Sequence, residues 1–445
     1  MNEPLRELIE FLKIPSVSAK EEHKPDIQRA AEWLVERLRR AGFSAEAAPT
    51  AGHPIVFAEK IVDASRPTVL VYGHYDVQPA EPLELWETPP FEPTIRDGKL
   101  YARGASDDKG QVFAHVAAVS QLESDLPVNV KFVIEGEEEV GSPNLVPFVE
   151  NNRVRLAADA VLVSDSPMFA PGLPTLTYGL RGLTYMEARL RGLGRDVHSG
   201  AYGGAVPNAA HAAAWMISQL KDPMGWVRIP GFYDDVEPIS PAEREMWSKL
   251  PFDEAEYAAE VGARSTAGEP GYGILERRWA RPTFDVNGIG SGYQGEGSKT
   301  VIAAEAFFKF SMRLVPNQDP EKIADLTEAY LQEIVPEGYE LEVLRYHGGQ
   351  PVLVPTDSPP MQAAAAALSQ AWGRETVFTR EGGSIPIVYD FMRVLGAPVV
   401  LMGFGLESDN LHAPNEKIDL INFEKGIEAS KNFFRLLPEY VGEGK

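Results

Sequence analysis

Cysteine is absent from the 445 residues. That excludes disulfides, thiolate metal sites, iron–sulfur clusters and a cysteine nucleophile, and nothing points to an oxidising compartment. Positive charge is scarce: 42 Lys plus Arg stand against 65 Asp plus Glu, a formal charge of −23. Such a balance repels phosphate backbones and anionic lipid, so neither nucleic acid nor a membrane is an expected partner. No window approaches the roughly 18 consecutive apolar residues a membrane helix requires. The opening MNEPLRELIEFLKIPS carries acids and bases where a secretory signal needs an uncharged apolar run, and it reads as a first helix. The expectation is a soluble, cytoplasmic protein. No GxSxG elbow is present, which argues against a serine hydrolase of the α/β type. Internal repeats and low-complexity tracts are also missing.

What is present suffices for more than one packed core: 44% hydrophobic residues, with seven Trp, fifteen Tyr and twenty Phe. The length allows roughly two to four domains. Residues 27–40 place Ile27, Ala30, Ala31, Leu34 and Leu38 at helical spacing, with Gly42 just past the end. Short apolar, β-branched runs at 68–72, 128–134 and 159–163 read as strands, with a helix-like stretch at 110–122 between the first two. Strands alternating with helices predict an α/β fold with a mixed, mainly parallel sheet. Near 181–195 the texture changes to Gly-rich turns around the alternating run Leu183–Leu190, followed by an Ala-rich helix at 208–220. Residues 222–282 show weak periodicity, and 301–315 reads as a strand. After Pro351 come an Ala-rich helix at 361–371 and apolar strands near 386–403. The expected organisation is one α/β domain in two pieces, 1–181 and 353–445, interrupted by a smaller inserted α+β domain at 182–352.

Polar residues then gather at predicted strand ends. His74 and Asp76 follow the first strand, two residues apart and on one side of an extended chain. The His can bind a metal through one nitrogen while the Asp takes the other N–H, although a plain polar pair has the same appearance. Arg103-Gly104-Ala105-Ser106-Asp107-Asp108-Lys109-Gly110 sets adjacent carboxylates before a helix, where an N-cap is the simpler reading. The acidic run Glu135-Gly136-Glu137-Glu138-Glu139 ends the second strand, and Asp165 follows the third. Three strand ends thus deliver carboxylate or imidazole to the edge where open α/β sheets bind ligands. His412, after a late strand, adds a second imidazole.

GHYDV at 73–77, RGASDDKG at 103–110, EGEEEVGS at 135–142, Asp165, DVHSGAYGG at 196–204, KTVI at 299–302, RLVP at 313–316, EGGSIP at 381–386 and NLHAPNE at 410–416 together resemble the M20 family of metallopeptidases, nearest its dipeptidase branch. The resemblance implies a zinc-exopeptidase-like catalytic domain with a lid or dimerisation insert that closes over the site. It also implies two divalent ions, zinc first, with manganese or cobalt as alternatives. By position, Asp107 corresponds to the bridging ligand, and His74, Glu139, Asp165 and His412 to terminal ligands whose division between the ions the sequence leaves open. Glu138 corresponds to the general base, and Asp76 supports His74. His198 corresponds to the oxyanion donor, supplied by the partner subunit of a homodimer. Arg313, Thr300, Gly383, Ser384 and Asn208 correspond to the group that holds the substrate. Asn208-Ala209 and Ala413 depart from the usual Asn-Pro and His-Ser. Three ligand carboxylates plus the base carry −4, which two divalent ions cancel. The implied activity is hydrolysis of dipeptides. N-acyl amino acid deacylases, succinyl-diaminopimelate desuccinylase and glutamate carboxypeptidases share the ligand pattern and remain alternatives.

His115 and His211 fall on helices with no spaced partner, and His23, His53 and His347 are equally isolated, so none receives a role. Gly290-Ser291-Gly292-Tyr293-Gln294-Gly295 fits GxGxxG without a following helix, and reads as a loop.

Overall fold

The computed structural model describes residues 2–442. The strands that matter for function are β1 (Ser44–Ala48), β2 (Ile55–Lys60), β3 (Thr68–His74), β4 (Asn129–Glu135), β5 (Ala160–Val163), β6 (Thr175–Leu180), β7 (Gly182–Arg191), β8 (Thr283–Ser291), β9 (Glu305–Leu314), β10 (Glu340–Gly349) and β11 (Val399–Leu401). The main helices are α1 (Glu3–Leu12), α2 (Lys24–Arg40), α3 (Lys109–Leu122), α4 (Ala209–Leu220), α5 (Pro320–Ile334), α6 (Pro359–Trp372), α7 (Pro386–Leu395) and α8 (Leu420–Val441).

The chain forms two compact units. Unit 1 runs through Tyr178 and includes Val354–Thr379 and the chain from Ile387 onward; unit 2 is Gly179–Leu353 with Arg380–Pro386. The segment Arg380–Pro386, placed by the sequence with the second catalytic piece, therefore packs in unit 2.

Unit 1 is built on a mixed sheet in the order β1-β2-β4-β3-β5-β11-β6. β4, β3, β5 and β11 run parallel, and β1, β2 and β6 are antiparallel additions. Val69–Tyr72 and Phe132–Glu135 are buried throughout, as central strands covered on both faces must be. α3 is buried on nearly every side because it lies against β3, α1 and α8. α2 presents the expected stripe Ile27, Ala30, Ala31, Leu34 and Leu38 inward, and Gly42 follows its end at φ +83°, a conformation suited to glycine.

Unit 2 holds the antiparallel sheet β8-β9-β7-β10. β9 alternates strictly, with Ala306, Phe308, Phe310, Met312 and Leu314 buried in a core shared with Met216 of α4 and Ile323 and Leu331 of α5. The predicted strand at 301–315 is two strands: Val301–Ile302 pairs with Val197–His198, and β9 begins only at Glu305. Three helices lie in the weakly periodic region, at Pro241–Ser248, Glu254–Glu260 and Ile274–Trp279. The expected apolar strands near 386–403 need correction, since Pro386–Leu395 is helical and only Val399–Leu401 is a strand. Ile387, Val388 and Phe391 are buried at i, i+1 and i+4, and Pro386 suits a helix's first turn. GxGxxG falls at the end of β8 and the turn after it, with no helix following. No described helix is long and apolar enough to cross a membrane.

Candidate metal centre and substrate-binding groups

β3 lies between β4 and β5, with His74 opposite Glu135 and Tyr72 opposite Val163. Parallel register therefore ends three strands at one level. His74 closes β3, Glu138 and Glu139 form the turn after β4, and Asp165 follows β5. Asp107 comes from the loop that leads into α3, and His412 from the loop beyond β11.

These side chains meet as two groups of three. The donor atoms of His74, Asp107 and Asp165 lie within 4.8 Å of one another, as do those of Asp107, Glu139 and His412. Asp107 belongs to both. Its Oδ1 is 3.0 Å from His74 Nε2, and its Oδ2 is 2.9 Å from His412 Nε2. One oxygen thus faces each group, as a bridging carboxylate requires. His412 Nε2 is also 3.3 Å from Glu139 Oε2.

Further polar groups hold the donors in place. His74 Nδ1 is 3.1 Å from the Asp76 carbonyl and 3.4 Å from its Oδ1. Donation from Nδ1–H leaves the Nε2 lone pair free to ligate a metal on the side that faces Asp107. Asp76 also accepts from the backbone N–H of Glu138 at 3.2 Å and Glu139 at 3.1 Å, so one carboxylate orients both the first imidazole and the acidic turn. Gln78 Nε2 donates to Glu139 Oε2 at 2.8 Å. Glu416, fully buried, accepts from the backbone of Gly104 (2.9 Å), Ser106 (3.0 Å) and Asp107 (3.0 Å) and from Arg103 Nη1 (2.7 Å). Neither Gln78 nor Glu416 was singled out from the sequence. Glu416 closes the NLHAPNE motif four residues past His412, and its place in that motif was the available signal.

The electrostatics show a cluster short of positive charge. Burial, with the Asp107 and Glu139 charges, pushes Asp165 up to about 6. Burial, with the Asp165, Glu139 and Asp107 charges, pushes Glu138 up to about 9 against the pull of His74. Burial works to raise Asp107, but hydrogen bonds from His412 and His74 outweigh it and hold that carboxyl well below the usual range. Bonds to Asp107 and Glu139 lift His412 to about 10. Protonated imidazoles facing Asp107 supply the charge that divalent ions would supply in their place. The donors are nitrogen and oxygen, three per group, which suits such ions and leaves positions for water and substrate. The residues fit two divalent cations.

His115, given no role from the sequence, is packed: Nε2 is 2.7 Å from Ser164 Oγ, Nδ1 is 2.9 Å from Ser430 Oγ, and burial lowers it to about 3.

Unit 2 carries the remaining candidates. His198 Nδ1 accepts from the Gly200 N–H at 3.0 Å, so the ring proton sits on Nε2, 3.3 Å from Thr300 Oγ1. The small ladder of Val197–His198 with Val301–Ile302 brings these two together. Arg313, at the end of β9, donates from Nη1 to Ser384 Oγ at 3.0 Å, beside Gly383. Asn208 caps α4, its Oδ1 accepting from Ala210 N–H at 3.0 Å.

Two donor triads sharing one carboxylate, with a fourth carboxylate in the adjoining turn, form a candidate metal centre at the C-terminal ends of the sheet's parallel strands. The chain belongs to Peptidase family M20/M25/M40, which its residues 70–435 match. It is 35% identical over 449 residues to the Cys-Gly metallodipeptidase DUG1 of Candida albicans, covering 95% of this chain and 92% of the relative. It is 34% identical over 389 residues to the Beta-Ala-His dipeptidase of Homo sapiens, covering 86% of this chain and 77% of the relative. The crystal structure of the M20 family metallo-carboxypeptidase Sso-CP2 from Sulfolobus solfataricus superposes with a TM-score of 0.88 at 37% identity, covering 99% of this chain and 100% of that one. The chain is a metallopeptidase, and its mixed-sheet unit with an inserted second unit is the fold of this family.

Proposed function

We propose that this enzyme hydrolyses the peptide bond of unblocked dipeptides at a dinuclear centre, with His74 and Asp165 serving one ion, Glu139 and His412 the other, and Asp107 both. The observation that carries this reading is the division of Asp107's two oxygens between His74 and His412. Zinc is the proposed metal from the donor set and the family likeness, with manganese or cobalt as substitutes to be separated by reconstitution. The names of the fungal and human relatives support dipeptide substrates.

Divalent ions held by these donors would polarise the scissile carbonyl and acidify the attacking water. Glu138, on a turn fixed by Asp76, takes the proton from that water and returns it to the leaving amine. His198 offers its Nε2–H to the oxyanion, since Nδ1 is already engaged by Gly200. Arg313, with Ser384, Gly383 and Thr300, binds the substrate's terminal carboxylate, for which a guanidinium fork is suited. Asn208 adds its amide nitrogen. We place the enzyme in the cytoplasm as a homodimer in which His198 serves the partner's site. The dimer rests on the family likeness and on the exposure of His198.

A second reading keeps the centre and changes the substrate. The metallo-carboxypeptidase neighbour favours release of a C-terminal residue from longer peptides or N-acyl amino acids. The test is turnover of dipeptides, tripeptides and N-acetyl amino acids by zinc-, manganese- and cobalt-reconstituted protein, with Glu138→Gln as control. The proposal expects dipeptides to lead and the variant to lose roughly 10²–10⁴ in kcat while still binding metal. Preferred turnover of tripeptides or N-acyl substrates would replace it with the second reading.

A further inference from the structure

Arg181 occupies the turn between β6 and β7 and makes three hydrogen bonds to one short loop. Its backbone N–H donates to the Gly383 carbonyl at 3.1 Å, its Nε to the Gly382 carbonyl at 2.9 Å, and its own carbonyl accepts from Ser384 Oγ. Ser384 Oγ in turn accepts from Arg313 Nη1 at 3.0 Å. A Cβ on Gly382 would come within 3.0 Å of Arg181 Nη2, so the loop lies against the guanidinium. Among the described residues Arg181 Nη1 is buried with no hydrogen-bond partner.

A buried cationic N–H without an acceptor is costly. The charge environment adds to that cost: burial first, and then the charge of Arg313, lower Arg181 to about 10. Glu381 and Asp285 act in the opposite direction, but Glu381 Oε1 is engaged by the Gly382 N–H at 2.6 Å, and Asp285 pairs with Lys221 at 3.4 Å. Two partly buried guanidiniums of one sign, one with a spare donor, form a site whose missing component is an anion.

We propose that Arg181 is a positioning and specificity-determining residue: it sets the Gly382–Ser384 loop against Arg313, and its charge and spare N–H strengthen selection for substrates with a free terminal carboxylate. This rests on the reading of Arg313 as the carboxylate-binding group. A residue that only holds the fold would weaken every substrate alike, so the informative readout is discrimination.

The experiment compares kcat and KM for a dipeptide and the same dipeptide as its C-terminal amide, using metal-loaded wild type, Arg181→Gln, Arg181→Lys and Arg313→Gln. The expected result for Arg181→Gln is a KM on the free acid raised about tenfold or more, with kcat and the amide changed far less. The acid-to-amide preference then falls by a similar factor, and Arg181→Lys, which keeps the charge without the planar fork, recovers part of it. An unchanged preference in both Arg181 variants, with Arg313→Gln losing it, overturns the role of Arg181 alone. If Arg313→Gln also leaves it unchanged, the reading of Arg313 fails as well. Should Arg181→Gln not fold, Arg181→Lys decides, since the proposal requires its preference to lie below wild type.

Discussion

Asp76 shows how much one carboxylate can organise: it engages His74 Nδ1 and accepts the N–H groups of Glu138 and Glu139. Its spacing from His74 made that role legible, because alternation in an extended segment brings i and i+2 to one side. Asp107 was legible only as one of a set. No spacing in the sequence tells that its two oxygens face different imidazoles, which depends on a loop and a distant His412 meeting in three dimensions. His115 makes the converse point. Its ring titrates at about 3 through burial, below the ordinary value of 6.5, so the unfolded chain binds the extra proton across that window. The contribution is complete above the unfolded value and is lost as pH falls toward the folded one. Replacing His115 with Asn should flatten the decline of unfolding free energy between those pH values by up to about 1.4 kcal/mol per pH unit, measured by urea denaturation. An identical slope in the variant would contradict a neutral, buried ring.

Elements were readable where one periodicity dominated, as in α2 and β3, and misread where composition and period disagreed. α7 is rich in β-branched and aromatic residues, which suggested strand, yet its buried positions Ile387, Val388 and Phe391 follow helical spacing. The run at 301–315 was one apolar alternation in sequence but serves two sheets, and the break at Ala303 and Ala304 is what sets Thr300 beside His198. Loops were the least legible, because their supports are remote. Glu416 holds the Asp107 loop by the backbone N–H groups of Gly104, Ser106 and Asp107 and pairs with buried Arg103. Truncating this side chain would strip the loop N–H groups and Arg103 of their acceptor, whereas Glu416→Gln keeps the size and one acceptor oxygen while removing the charge that faces Arg103, and is the useful variant. It should weaken zinc affinity about 10- to 100-fold in chelator competition, with far-ultraviolet circular dichroism preserved. Unaltered affinity would show that the loop holds Asp107 without it.

The whole molecule was legible in outline: an α/β unit interrupted by an insert. The assignment of Arg380–Pro386 to unit 2 was not, since seven residues carry too little pattern to announce a change of unit. The proposed dimer makes a prediction that only whole-chain assembly can meet. Glu138→Gln and His198→Ala chains, each inactive alone, should regain about a quarter of wild-type activity when mixed and allowed to exchange. Random pairing gives about half heterodimers, each with one site that has both groups intact. No recovery, despite exchange shown by mass-tagged chains, would place His198 in its own subunit's site.

For the whole enzyme we propose that two ions sharing Asp107 make the active centre. The four carboxylates Asp107, Glu138, Glu139 and Asp165 stand in one cluster in a chain that already carries a charge of −23. The most direct measurement is dipeptide hydrolysis during titration of zinc into metal-stripped protein, with bound metal counted at each point. Activity is predicted to be absent without metal and to reach its plateau at two equivalents per chain, with Asp107→Asn failing to hold either ion tightly. A plateau at one equivalent, or two ions retained by Asp107→Asn, would contradict it.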